Sequence, residues 1–194
     1  GWTGALRIRK EFAQKFDGAK FSQDTRNTIG KGVAGDPGKQ RSIDIDDIGV
    51  KTQGYILSKF SSKTSTGVNG ISSTYADTDF PLFRLADVYL MYAEATLRGG
   101  NGTIPQALNY VNALRQRANS NLTIGNITLS ELTLDFLIDE RARELHWEAH
   151  RRQDLIRFGK YTGGTYNWAW KGNSSKGIAL PSDMSVFPIP EASL

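Results

Sequence analysis

Apolar residues recur at helical spacing through residues 80–98, FPLFRLADVYLMYAEATLR. Leu85, Val88, Tyr89, Tyr92, Ala93 and Thr96 fall at i, i+3, i+4, i+7, i+8 and i+11, the period of one helix face. Pro81 stands just ahead of this helix, where a missing N–H costs nothing, and Gly99-Gly100 end it. A second helix follows over residues 105–118, with Ala107, Leu108, Val111, Leu114 and Ala118 on one face and Pro105 in its first turn. A third spans about 128–149, carries Leu134, Leu137, Ile138, Ala142 and Leu145, and opens with a capping box of Thr128 and Glu131. Short connections between the three predict antiparallel packing, and a further turn or two at 151–158 brings Leu155, Ile156 and Phe158.

The flanks are patterned less clearly. Leu6, Ile8 and Phe12 suggest an extended segment near the start, and Ile43, Ile45, Ile48, Val50 and Tyr55-Ile56-Leu57 suggest one or two short strands. Residues 28–42 are rich in Gly and contain Gly30-x-Gly32-x-x-Gly35. A dinucleotide loop must open a helix whose N–H groups meet the pyrophosphate. Here Asp36-Pro37-Gly38 follows instead, a turn signal, so the stretch reads as a loop. Residues 61–77 are Ser/Thr/Gly-rich loop, and the tail from Gly159 runs through Trp168 and Trp170 to Phe187-Pro188-Ile189-Pro190, an extended path. The expected organisation is mainly α: a loop-rich segment with short strands (1–77), a helical core of tetratricopeptide-like hairpins (78–161) and an extended tail packed on it (162–194), together one domain. The first two helices match that repeat only loosely, and one pair cannot cover its own apolar faces.

Composition narrows the function classes. With 194 residues and 39% hydrophobic content the chain can bury a true core. It has no cysteine, hence no disulfide scaffold and no thiolate metal site. No run approaches the ~20 apolar residues of a membrane-spanning helix. A net charge of +4 invites a nucleic-acid reading. Yet Arg141, Arg143, Arg151, Arg152, Arg157 and Lys160 alternate with Glu140, Glu144, Glu148 and Asp154, the pattern of local ion pairs rather than of a phosphate-tracking stripe. The chain opens on Gly1-Trp2 and carries no signal segment, which suggests a fragment whose leader and anchor lie outside it.

No catalytic set assembles. His146 and His150 stand four apart, a spacing at which two helical imidazoles can share a metal, but no third ligand is evident and Trp147 occupies the place of a zinc-protease Glu. Glu140, Glu144 and Glu148 form a ridge on one helix face, whereas a glycosidase pair must face each other across a cleft about 5–10 Å wide. Arg141, Arg143 and Arg151 are expected to pair with that ridge. Arg84 and Asp87 (i, i+3), with Glu94 further on, read as buried or semi-buried ion pairs that lock helix packing. No cofactor and no metal are expected.

The phrases RLADVYLMYAEA (84–95), ALNYVNALRQRA (107–118), ERARELHWEAHRRQDLIRFGKY (140–161) and FPIPEASL (187–194) resemble the C-terminal half of the SusD/RagB family. TGALRIRKEF and Asp24-Thr25-Arg26 are similar to its middle region. The resemblance implies an outer-membrane, surface-exposed lipoprotein, without enzymatic activity, that captures oligosaccharide for a SusC-like TonB-dependent transporter. Its lipid anchor would lie outside this chain. Peptide capture by the same family, or a helical-repeat scaffold for proteins, are the alternatives. Where the family reads E-G-x-R, this chain has Glu148-Ala149-His150-Arg151, which bears on how the backbone turns there. A sugar site needs an exposed ring beside polar groups. Tyr89, Tyr92 and Trp147 are expected in the core. The rings in loop-like sequence, Trp2, Tyr75, Trp168 and Trp170, are therefore the candidate ligand contacts, with Tyr166 beside them.

Overall fold

The structure is a computed structural model describing residues 6–32, 36–64, 66–72 and 78–193. It is mainly helical. A short helix α1 (Lys10–Ala13) precedes a two-stranded antiparallel ribbon, β1 (Ile29–Gly30) with β2 (Ile56–Leu57), in which Ile29 faces Leu57. Then come α2 (Leu85–Leu97), α3 (Ile104–Ala118), α4 (Leu134–Leu145) and α5 (Arg151–Arg157). Phe12, read as extended, thus lies in a helical turn, while Ile8 just before it is extended and its N–H donates to the Tyr55 carbonyl at 2.9 Å.

Helices α2 and α3 pack as a hairpin, and α4 lies against α2. Thr103 caps α3, its hydroxyl accepting from Gln106 N–H. The core of this unit is Leu90, Ala93, Ala107, Val111, Leu114, Ile127, Leu132, Leu137 and Leu145, closed by Tyr89 stacked on Tyr110 at 4.2 Å. The α3 and α4 faces are those expected. The α2 face is rotated: Ala86, Leu90 and Ala93 are buried with Asp87 and Glu94, whereas Leu85 and Val88 are 61% and 49% exposed. Hydropathy alone places the two acids outward. Ion pairs to α4 and α5 draw them inward and carry the face round with them.

The long helix expected over 128–149 is three pieces. The capping box of Thr128 and Glu131 is present, but it starts a 3-10 turn (Leu129–Glu131) that ends before α4, which Thr133 caps afresh. Helix α4 stops at Leu145: His146 turns to ψ 144°, and Trp147 and Ala149 both have left-handed φ, 63° and 62°. The last carbonyls of α4 are met by side chains from elsewhere. Lys59 donates to the Glu144 and His146 carbonyls at 3.0 and 2.9 Å, and Arg84 to that of Glu144 at 2.7 Å. His146, Glu148 and His150 therefore do not share a helix, and the basis for a two-histidine metal pair goes with it. Among the described residues no three His, Asp or Glu side chains gather as metal ligands. No described helix is long and apolar enough to cross a membrane.

Candidate functional site

Two cavities flank the end of α4, with His146 in the wall of both. The deeper polar structure beneath them is an ion-pair lattice. Glu140, wholly buried, accepts from Arg26 (2.8 Å), Arg115 (2.9 Å) and Arg143 (2.8 Å). Glu144 accepts from Arg26, Arg84 and Arg117 at 2.6–2.9 Å, and Glu148 from Arg84 and Lys59. Burial alone raises a carboxyl pKa. Around Glu140 the three guanidinium charges outweigh burial and hold it well below the usual range, and around Glu144 they lower it to about 2. A second lattice joins Arg141 to Asp87 and Asp154 as ion pairs at 2.7 and 2.8 Å, and Arg157 to Asp154 and Glu94. Arg84 and Asp87 are thus not partners of each other. Of the three arginines expected on the glutamate ridge only Arg143 is there. Glu144 and Glu148 both reach the wall of the second cavity, but each is held by two or more Arg or Lys side chains, which keeps them as paired carboxylates rather than an acid–base pair.

The second cavity, about 350 Å³, lies against this lattice between Arg26, Lys59, Arg84 and Arg117. The first, about 370 Å³, is of another kind. Its wall is built from α1 (Arg9, Glu11, Phe12), the turn after α4 (His146, Trp147), α5 (Arg151, Arg152) and the tail (Tyr161, Tyr166, Trp168). Trp168 packs near Tyr161 and Tyr166, with ring centres 6.2 and 6.3 Å away, and the Lys171 ammonium lies 4.7 Å from its ring centre. Lys171 is itself fixed by the Gly163 and Tyr166 carbonyls at 2.8 and 2.7 Å. Trp147, expected in the core, is instead 45% exposed at the cavity wall, because the left-handed turn after α4 swings it outward.

Two residues of this wall each keep one buried acceptor atom with no hydrogen-bond donor among the described residues. Nδ1–H of His146 donates to the Arg143 carbonyl at 2.8 Å, which leaves Nε2 as a buried lone pair without a partner. Burial, then the nearby Lys59 charge, lowers its pKa to about 4, so the ring is neutral at pH 7. Glu11 accepts from Ala169 N–H through Oε1, and its Oε2 is unpartnered.

Of the four rings singled out in the sequence, Trp168 lines the cavity. Trp170 does not: its backbone is left-handed (φ 68°), so it does not share an extended run with Trp168, and its indole N–H donates to the Ile45 carbonyl at 2.7 Å. Trp2 and Tyr75 lie outside the described residues. Sequence reasoning missed His146 Nε2, Arg9 and Arg152, since only folding brings α1, the α4 terminus and the tail together.

The described residues thus form a mainly helical hairpin unit with an aromatic-lined cavity beside it. The family profile described as the SusD family matches residues 8–190, and the chain belongs to that family. It is 40% identical over 174 residues to the starch-binding protein SusD of Bacteroides thetaiotaomicron, covering 90% of this chain and 29% of the relative. It is 31% identical to a SusD-like protein of Bacteroides ovatus, covering 86% of this chain and 26% of that one. A SusD superfamily protein from Bacteroides vulgatus has a similar fold, with a TM-score of 0.55 and 24% identity over 82% of this chain and 31% of the other. The chain thus spans under a third of the length of these relatives.

Proposed function

We propose that this chain contributes to non-catalytic capture of oligosaccharide for nutrient uptake, with the Trp168 cavity as a contact site. The observation that supports it best is one cavity whose wall gathers aromatic faces (Trp147, Tyr166, Trp168) and two polar side chains, His146 and Glu11, each with a buried acceptor that has no partner. A sugar ring brings flat C–H surface for the former and hydroxyl donors for the latter. The described carboxylates stand in ion pairs or apart, so capture proceeds without hydrolysis. The 40% identity to a protein named as starch-binding favours a glycan over a peptide.

The same reading places the protein at the outer membrane, held by a lipid anchor and working with a SusC-like TonB-dependent transporter. A second contact, with protein, is favoured by the apolar run Leu82, Phe83, Leu85, Val88 and Met91, each 46–91% exposed. Calorimetry with a glycan panel tests the capture reading. Saturable binding with no new reducing ends from a polysaccharide is the expected result. Reducing-end release by the pure protein, or binding of peptides alone, refutes it.

A further inference from the structure

The charges around the Trp168 cavity are not balanced. Among the described residues, Arg9, Lys15, Arg151 and Arg152 line it, against Glu11 as the single acid. Lys15 is neutralised by Asp139. Among the described residues none of the three arginines forms an ion pair, whereas Arg26, Arg84, Arg115, Arg141, Arg143 and Arg157 are each met by a carboxylate. Arg7 and Arg41 also lack one, but their guanidinium groups are bonded to loop carbonyls away from this cavity.

The three differ in what they can offer a ligand. Arg151 is committed to the Ile138 carbonyl and the Tyr166 hydroxyl, both at 2.8 Å, so it acts as a fixed positive charge behind the Tyr166 ring. Arg152 makes one hydrogen bond, to the Met184 carbonyl at 2.9 Å, and its guanidinium lies against two rings, 5.0 Å from the centre of Tyr161 and 4.0 Å from that of Phe187. That stacking orients the fork while leaving most of its N–H donors open. Arg9 has no side-chain hydrogen bond among the described residues. Partial burial, then the neighbouring Arg7 charge, lowers its pKa despite Glu11, the signature of a cation short of counter-charge.

Resting on the capture reading above, we infer that this cavity takes an acidic sugar, one whose ring carries a carboxylate or a sulfate, and that Arg9 and Arg152 hold the anion. A planar guanidinium meets either anion with paired, charge-assisted hydrogen bonds. The aromatic faces take the apolar side of the same ring. A neutral glucan leaves the excess positive charge unmatched.

Calorimetry of the whole protein uses matched pairs: oligogalacturonate against its full methyl ester, and a sulfated galactan oligosaccharide against its desulfated form. The acidic member of one pair is expected to bind about tenfold tighter than its neutral counterpart, about 1.4 kcal/mol, and the pair that discriminates tells carboxylate from sulfate. The advantage shrinks at about 0.5 M salt. Arg152→Gln and Arg9→Gln, checked for an unchanged melting temperature, each erase the difference within that pair. If neutral sugars bind as tightly as acidic ones and the variants change nothing, the acidic-sugar inference falls while glycan capture stands. If no sugar of either charge binds, the capture reading falls and takes this inference with it.

Discussion

Glu140→Gln isolates the buried ion-pair lattice. Gln keeps the shape of the side chain but removes the charge and turns one acceptor into an N–H2 donor facing guanidinium groups. Two of the three partners cannot escape to water, Arg115 at 0% exposed and the Arg143 side chain at 4%, while Arg26 is 10% exposed at the second cavity. Each contact corresponds to charge centres about 4 Å apart, worth about 4 kcal/mol in a protein-like dielectric. Much of that offsets the desolvation of the four groups, so the three pairs do not sum. What remains on removing one partner of a buried cluster is about 3–5 kcal/mol of destabilisation, because the other charges stay behind uncompensated. For a chain of this size that is a fall in melting temperature of about 10 °C. Urea unfolding followed by circular dichroism should show a lower midpoint with an unchanged slope. Arg117→Gln is the control. Its guanidinium touches Glu144 but its side chain is 53% exposed, so the loss stays within about 1 kcal/mol. A Glu140→Gln cost below about 1 kcal/mol, or one equal to the Arg117 control, would refute the claim that this lattice depends on its buried charge.

Three further outcomes follow from the turn and the cavity. Ala149→Gly should stabilise the protein by about 0.5–1 kcal/mol, since φ 62° strains a side chain that glycine lacks; a lower melting temperature contradicts this. The folded pKa of His146, about 4, lies below its ordinary 6.5, so as pH falls the unfolded chain takes up the proton first. Its contribution is full above about pH 6.5, is reduced by about 2 kcal/mol at pH 5 and is lost by about pH 4; His146→Gln should remove that part of the acid sensitivity, and identical pH–stability profiles would count against it. Trp168→Ala should weaken sugar binding about fivefold, from the loss of about 1 kcal/mol of ring contact, without changing the fold; calorimetry reads the first and the melting temperature the second.

The helices were legible because their signals are local. Pro105 and Gly99-Gly100 marked a start and a stop that the structure keeps within a few residues, while the Thr128–Glu131 box caps a 3-10 turn ahead of α4. What stayed hidden was set by distant partners. The α2 face is rotated by Asp87 and Glu94, which reach Arg141 in α4 and Arg157 in α5, over 50 residues away, besides the local pair of Glu94 with Arg98. The break after Leu145 has no glycine or proline to announce it. It is sustained by Lys59 and Arg84, which satisfy the carbonyls a continuing helix would have used. The resemblance did hold a clue: a family glycine at the place of Ala149 points to the left-handed φ found there.

The candidate site follows a different logic, and the sequence pointed to only two of its rings, Trp168 and Tyr166. In this chain most buried charge is matched by opposite charge, down to an Arg115–Glu140 pair with no exposure at all. Such matching is costly to assemble and leaves little charge for a ligand, although Arg141 and Asp87 meet as an ion pair without hydrogen-bond geometry. It makes the unmatched groups informative instead. His146 Nε2, Glu11 Oε2, Arg9 and Arg152 come from three separate segments, and each departs from the pairing that governs the core. They line the same cavity as Trp168. A scaffold under selection for stability alone gains by filling such a place with apolar side chains, because a buried acceptor without a donor costs about 1–3 kcal/mol. Two of them under an aromatic wall, beside two uncompensated cations, are better explained by a ligand that brings hydroxyls and negative charge together.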